Sequence, residues 1–264
     1  MFNHSYHGVQ IFFGVIAILF TVGYITAVLL SYRRQKNWKL HQMLFFIVGV
    51  ILSTFALVGP VANLAHSNFT IHMIAHLLLG MLGPLLVAFG KPVTLLLRTL
   101  PVSYARRLIV FLRKRPLTSV THPIVASLLN IGGLWVLYTT PLFDLMHMNP
   151  LLYSLIHIHV FLAGYVFTIS MIEIEPLAHR FSFGYRAVVM VLSLAGHGIL
   201  SKWIYAHPPV GVAARDAEVG AMIMYYGGDA VDLILVIVLC YQWYRAARPR
   251  GLSRGQPVKL DSNG

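Results

Sequence analysis

The sequence predicts an all-α membrane protein, a polytopic bundle of seven transmembrane helices. Of its 264 residues, 58% are hydrophobic and only 11% are charged, and the mean hydropathy is +0.74, far from the values of a soluble domain. Seven apolar runs are each long enough to cross about 30 Å of hydrocarbon. The basic residues gather in alternate loops between these runs, as the positive-inside rule describes.

The apolar runs place the helices in order along the chain. No basic region or cleavage site accompanies the first run, so we expect a retained helix and not a cleaved signal peptide. The third run contains Gly83, Pro84 and Pro92, and the fourth is the weakest of the set. The predicted spans are Gly8–Leu30, Gln42–Val61, Ile71–Leu97, Ile124–Thr140, Leu151–Ile172, Tyr185–Tyr205 and Val219–Tyr244.

The loops between the spans set the expected orientation. Of the 20 Lys and Arg residues, 18 fall on one side of the predicted membrane, and only Lys202 and Arg215 fall on the other. This imbalance predicts that the N-terminus is outside and that the C-terminus is cytoplasmic. We expect one transmembrane domain over residues 1–248 and a disordered cytoplasmic tail over 249–264. The segment Pro101–Arg115 is amphipathic and is expected to lie on the cytoplasmic membrane surface.

Charge and cysteine content exclude other classes of protein. The formal net charge is +12, but the basic residues lie between apolar spans, which favours membrane orientation over nucleic-acid binding. The single cysteine, Cys240, excludes an intramolecular disulfide and a CxxC metal or redox motif. No soluble catalytic module is visible, so the sequence does not indicate an enzyme.

The 13 histidines are distributed unevenly between the two predicted sides. Imidazole is the commonest metal ligand in proteins and is costly to place in lipid, so a cluster of histidines inside spans indicates function. Only His41, His122 and His179 fall in the inner half. The outer half or outer face holds His4, His7, His66, His72, His76, His147, His157, His159, His197 and His207.

Three predicted helices bring imidazoles to one shallow layer. His72 and His76 are four residues apart and share a helix face, with the thioether of Met73 nearby. His157 and His159 are two apart, so they point about 200° apart and only one can face a common site. The candidate metal ligands are therefore His66, His72, His76, His157, His159, His197 and His207.

The last predicted helix carries two carboxylates, Asp229 and Asp232, three residues apart. A carboxylate in hydrocarbon costs at least about 2.5–3.5 kcal/mol, so each needs a proton, a metal, a histidine or a lysine as partner. We expect both, with Met73, to support the candidate metal ligands or to balance their charge. A purely structural network with neighbouring tyrosines or Lys202 is the competing interpretation.

Several stretches resemble the CtaG family of cytochrome c oxidase assembly proteins. They are His72–Leu79, continuing through Pro84–Leu86 and Gly90–Pro92 to Leu100–Pro101, then Thr121–Pro123 and His157–Leu162 followed by Gly164. The resemblance covers about Leu52 to Tyr244. It implies a multi-pass protein of the bacterial plasma membrane that helps to build haem-copper oxidases. It also implies copper as cargo, with oxidase subunits and other copper chaperones as expected partners. Among the histidines it points to His72, His76 and His159.

Two other functions use the same residues. A metal-ion or proton-coupled transporter would employ the histidines with Asp229 and Asp232 as a relay, but it needs polar groups that continue to the cytoplasmic side. A haem protein would use two axial histidines on facing helices, such as His76 and His197. A retinal-binding receptor is disfavoured because the seventh helix has no lysine deep in the membrane.

Overall fold

The computed structural model describes residues 2–34 and 37–248, and the described chain is built from α-helices and two π-helical turns without any strand. Six helices are long and apolar enough to cross a membrane, and a bent helix pair can supply a seventh span. The prediction of an all-helical, multi-pass membrane protein is confirmed. The predicted tail 249–264 lies outside the described residues.

The helices follow the predicted order. The first half of the chain contains α1 (Phe2–Arg33), α2 (Leu40–Leu57), α3 (Pro60–Ala65), α4 (Phe69–Leu77), a first π-turn (Leu78–Leu82), α5 (Gly83–Phe89), α6 (Pro92–Thr99), α7 (Val102–Leu112) and α8 (Arg115–Val120). The second half contains α9 (Pro123–Ser127), a second π-turn (Leu128–Gly132), α10 (Gly133–Thr139), α11 (Leu142–Met148), α12 (Pro150–Ile172), α13 (Phe183–Ala206) and α14 (Ala214–Ala247).

The predicted fourth span is a composite. It consists of α9, the second π-turn and α10, and it bends by 81° into the short helix α11. Thr140 adopts an extended conformation before Pro141, because a residue that precedes proline is disfavoured in the helical region. The bend returns the chain to the bundle and places α11 across the end of the neighbouring helices.

The centre of the bundle is formed by α4, α12, α13 and α14. Met73, Leu200 and Met224 are fully buried in a cluster that joins α4, α13 and α14. Glycines permit the closest approach, because a Cβ on Gly164 of α12 would overlap the carbonyl oxygen of Gly80 in the first π-turn. Helix α1 is peripheral, and its outward face exposes apolar side chains, as expected for contact with lipid.

The two ends of the bundle differ in chemistry. We call the end that carries His66, His147 and His207 the histidine end. The opposite end, which carries Lys91, Arg186 and the C-terminal ends of α1 and α14, is the basic end. At the basic end, Arg34 donates to the carbonyl of Leu100, so the end of α1 lies beside the end of α6. Helix α7 has no buried residue in the described structure, in agreement with a surface position.

Candidate functional site

A cavity at the histidine end is lined by five imidazoles. It has a volume of about 20 Å³, enough for one water-sized group or a single ion. The imidazoles come from the loop after α3, from α4, from α11 and from α12: His66, His72, His76, His147 and His157. The polar and polarisable part of the lining also includes Tyr138, Met146 and Tyr153.

Local sequence fixes the helices that carry these rings. Asn68 caps α4, since its side chain accepts a hydrogen bond from the backbone N–H of Ile71 at 2.9 Å. Asn149 caps α12 in the same way, with Pro150 at the first helical position. Tyr6 of α1 donates to the backbone carbonyl of His147 and thereby ties α11 to the bundle.

The rings are close to one another. The ring centres of His66 and His147 are 5.6 Å apart, and those of His72 and His147 are 6.0 Å apart. An ion held about 2 Å from a nitrogen of each of two imidazoles places the ring centres about 5–6 Å apart. Nevertheless, across residues 2–34 and 37–248 no three His, Cys, Asp or Glu side chains converge on one point that could hold a metal ion.

Hydrogen bonds assign the protonated nitrogen of two rings. His147 donates from Nδ1 to the carbonyl of Phe143 at 2.7 Å, and His157 donates from Nδ1 to the carbonyl of Tyr153 at 2.8 Å. Because a carbonyl can only accept, Nδ1 carries the proton and Nε2 keeps its lone pair. This arrangement is the one that metal-binding histidines use when a backbone carbonyl fixes their orientation.

The other rings of the cavity differ in their partners. His76 Nε2 is buried and has no hydrogen-bond partner among the described residues. His72 Nε2 lies 3.1 Å from the hydroxyl of Tyr138. His66 lies outside the spans, and burial, with a smaller effect of nearby His147, lowers the pKa of His66 to about 4. The neutral imidazole that ligation requires is therefore its stable form at neutral pH.

The structure places the remaining predicted ligands elsewhere. His159 is exposed on the opposite side of α12 from His157, and its Nε2 donates to the carbonyl of Leu129 at 3.1 Å. His207 is exposed and stacks on Trp203. His197 is buried against Gly228 and does not line the cavity, and its Nε2 has no partner in the described chain.

The three residues that were predicted to support the metal ligands lie in three different places. Met73 is fully buried in the core between α4 and α14 and does not line the cavity. Asp229 is exposed, but it interacts electrostatically with His197. Asp232 is buried and faces a second, interior cavity.

Sequence reasoning left His147 and Met146 out of the candidate site. They lie on α11, a short helix between spans, and the bend before it turns both toward the bundle. No spacing in the sequence singles them out, because the ring of His147 bonds to the backbone carbonyl of Phe143 and every helical residue has a carbonyl four positions earlier.

Buried charges at the basic end were also missed. Glu175 is 4% exposed and accepts from the backbone N–H groups of Val93 and Thr94, each at 2.9 Å. Arg186 is 2% exposed and lies 3.6 Å from the carboxylate of Glu173.

Fold and site together define a multi-pass helical membrane protein with a small cavity of buried imidazoles at one end. Comparison with known families makes this more specific. The family model described as cytochrome c oxidase caa3 assembly factor (Caa3_CtaG) matches residues 22–246, and the chain belongs to that family. The resemblance inferred from the sequence is confirmed.

Individual relatives add little about function. The chain is 24% identical over 253 residues to an uncharacterized protein of Mycobacterium leprae, covering 88% of this chain and 38% of the relative. It is 25% identical over 256 residues to uncharacterized proteins of Mycobacterium bovis and Mycobacterium tuberculosis, covering 89% of this chain and 39% of each relative. The chain thus spans about two fifths of the length of these relatives. No solved structure matches it.

Proposed function

We propose that this protein helps to supply copper to a haem-copper oxidase during assembly, and that the histidine cavity is where it holds the ion. The observation that carries the proposal is the convergence of five imidazoles, from four separate segments, on one buried cavity of single-ion size. Family membership supplies the oxidase as the partner. Imidazole suits copper in either common oxidation state, and Met146 adds a soft thioether beside it.

The chemistry of the cavity supports reversible holding of an ion. His147 and His157 each keep an unprotonated Nε2, and the buried Nε2 of His76 has no hydrogen-bond partner in the described chain. His66 and His72 line the same cavity. Because the rings are near but not yet convergent, an ion exchanges its ligands one at a time and never enters water free. Holding and transfer of this kind make and break no covalent bond, which is in keeping with a non-catalytic assembly factor.

The distribution of basic residues supports an orientation for the site. Lys91, Arg98 and Arg186 lie at the opposite end of the bundle from the cavity, and α7 adds further arginines there. The positive-inside rule then places the histidine end on the outer side of a bacterial plasma membrane. The proposed recipient is an oxidase subunit docked at that face.

The two competing functions receive less support. A cavity of about 20 Å³ has no room for haem between His76 and another ring. A through-membrane relay needs polar groups between the interior cavity and the basic end. In that interval α12 and α14 present the apolar side chains of Met171 and Leu239, and the polar side chains there, Arg186 and Gln242, donate to the backbone carbonyls of Met171 and Ile172.

The test is metal stoichiometry of the purified protein. We expect the double variant His76→Ala/His157→Ala to lose most bound copper, whereas the matched double variant His159→Ala/His207→Ala, with both rings outside the cavity, keeps it. Thermal unfolding of each variant controls for loss of structure. Equal copper content in the two folded double variants contradicts the assignment of the site.

The cellular test uses a deletion strain complemented with the same variants. Oxidase activity and oxidase copper content are expected to fall in the deletion strain and with His76→Ala/His157→Ala, and to recover with the control variant. Normal, copper-replete oxidase in the deletion strain contradicts the proposed function.

A further inference from the structure

A second cavity lies inside the bundle, and polar side chains line it. Its volume is about 20 Å³, and it is bordered by both π-turns, through Gly80 of the first and Asn130 of the second. π-turns are rare and occur frequently at functional sites. The polar groups that face this space from α12, α13 and α14 are Thr168, Ser193 and Asp232.

Asp232 is a buried carboxyl group without a cationic partner. Its side chain is 4% exposed, and within residues 2–34 and 37–248 the ion pair found is Arg186–Glu173 at the basic end. Lys202, the lysine of α13, is exposed, and its ammonium lies 5.3 Å from the centre of the Tyr225 ring. An ionised carboxylate in this position is strongly disfavoured.

The titratable groups near Asp232 on each neighbouring element supply no fixed positive charge. Asp229 is on its own helix and is another acid. Helix α13 offers His197, and α4 offers His76; both rings have a buried Nε2 without a hydrogen-bond partner in the described chain. The groups that α12 and the second π-turn bring to the cavity are the uncharged Thr168 and Asn130.

The interior cavity lies about one helical turn below the histidine cavity. The chain passes from His76 of α4 to Gly80 of the first π-turn, and along α12 it passes from Val160 to Gly164. In each case it passes from the lining of the first cavity to that of the second. Four residues rise about 6 Å along a helix. The two cavities meet at Gly80, where an added Cβ would lie 3.3 Å from the ring of His76. A cation in the upper cavity therefore adds its field to the space that Asp232 lines.

We propose that the interior cavity is a proton-binding site in which Asp232 is a carboxylic acid, and that a cation entering the histidine cavity displaces this proton. The imidazoles of the upper cavity bind as neutral ligands and release no proton. The O–H bond of Asp232 breaks, the carboxylate keeps the electron pair, and the proton leaves to water, so nothing is oxidised or reduced. The exchange keeps the total charge of the buried region constant. This coupling rests on the proposed function, whereas the proton site does not.

Infrared spectroscopy tests the proton site without any metal. At neutral pH the wild-type protein is expected to show the C=O stretch of a protonated carboxyl group, shifted in D₂O. The band should be absent from Asp232→Asn and retained in Asp229→Asn, the matched control on the same helix. Asp232→Glu keeps a carboxyl group and is expected to shift the frequency of the band. This variant tests the assignment if Asp232→Asn folds poorly. A wild-type spectrum without the band, or a band unchanged in both Asp232 variants, overturns the proposal.

Proton release on ion binding tests the coupling. Ag(I), a redox-inert analogue of Cu(I), is added to weakly buffered protein with a pH indicator. We expect wild type to release about one proton per bound ion. Asp232→Asn is expected to release none and to bind Ag(I) roughly tenfold more weakly. Binding with no proton release in wild type overturns the coupling and leaves the proposed function intact. If wild type binds no Ag(I), both the proposed function and the coupling are contradicted. The proton site is then still tested by the infrared band alone.

Discussion

Glu175 shows how one side chain closes the basic end of the bundle. It lies in the loop between α12 and α13, and its carboxylate accepts from two backbone N–H groups at the start of α6 and from the hydroxyl of Thr94. The hydroxyl of Tyr165 is 3.4 Å away. A carboxylate at a helix N-terminus satisfies backbone donors that lack intrahelical partners. The residue therefore joins two segments about 80 residues apart in sequence.

Substitution of Glu175 by Gln is expected to destabilise the protein. One carboxylate oxygen becomes an NH₂ group that faces the N–H donors of α6, so buried donors lose their acceptor at a cost of about 1–3 kcal/mol. The free energy of unfolding in detergent, measured by chemical denaturation, checks this. Glu218→Gln is the control, because within the described structure the carboxylate of Glu218 accepts no hydrogen bond. Equal stability of the two variants contradicts the assigned role.

The same carboxyl group gives a pH dependence with a definite sign. Burial raises the pKa of Glu175 above its usual value of 4.5, and its hydrogen bonds to Thr94 and Val93 only partly oppose this. As pH rises above about 4.5, the unfolded carboxyl ionises before the folded one, so the folded state loses stability until pH passes the raised pKa. Wild type should therefore lose part of its stability advantage over Glu175→Gln across this window. Thermal unfolding of wild type and Glu175→Gln from pH 4 to pH 8 measures this change. A difference in stability between the two proteins that does not vary with pH contradicts the expected sign.

Residue spacing predicted part of the site. The four-residue spacing of His72 and His76 predicted a shared face, and both rings line the cavity. The two-residue spacing of His157 and His159 predicted that one ring faces away, as His159 does. Depth along a helix could not predict which rings share a cavity, because it ignores rotation about the helix axis; His197 has a suitable depth but lies behind Gly228.

At the scale of elements, apolar run length located the long helices and missed their irregularities. The predicted fifth span, Leu151–Ile172, agrees with α12 within one residue. Neither π-turn has a sequence signal, since each inserts a residue into an otherwise ordinary apolar run. The bend before α11 was equally invisible to hydropathy, although Pro141 marks its position.

Contact between α12 and the first π-turn depends on glycine. The carbonyl of Gly80 approaches Gly164 so closely that any side chain at position 164 would overlap it. Gly164→Ala is therefore expected to push the two elements apart and to cost about 1–3 kcal/mol of unfolding free energy, as overpacking does. Since both glycines line the interior cavity, the variant should also disturb that site.

Gly14→Ala is the matched control for this substitution. Gly14 lies in α1 with open space around it, so the added methyl meets nothing within 4 Å and improves helix propensity. Its unfolding free energy should be unchanged or slightly higher. If Gly164→Ala is as stable as Gly14→Ala, the close approach of α12 and the π-turn does not occur in the protein.

At the scale of the whole molecule, the two chemically distinct ends predict a single orientation. Arginine and lysine collect at the basic end, and the five-histidine cavity lies at the other. Helix α7 reinforces the asymmetry, because Tyr104 and Phe111 are exposed beside Arg106 and Arg107. Such a helix fits the surface of an anionic membrane leaflet.

Cysteine labelling tests this orientation and the number of spans together. Cys240, the single native cysteine, is first replaced by Ser. A membrane-impermeant maleimide added to intact cells should label cysteines placed at Ser67 and Met148, which are exposed at the histidine end. Cysteines placed at Lys114 and Arg180, exposed at the basic end, should react only after the cells are permeabilised.

Comparing the labelling of these sites in pairs distinguishes a wrong number of spans from an inverted orientation. Ser67 and Lys114 lie on either side of the helical segment Phe69–Thr99, so opposite labelling shows that this segment crosses the membrane. Lys114 precedes the bent pair that begins at Pro123, and Met148 is its last residue. Equal labelling of these two sites means that the fourth segment is re-entrant and that the spans number six. If the labelling pattern is fully inverted, the imidazole cavity lies at the cytoplasmic face of the membrane. Copper would then have to enter from inside the cell, and the proposed delivery to an outward-facing oxidase centre would fail even if the cavity binds the ion.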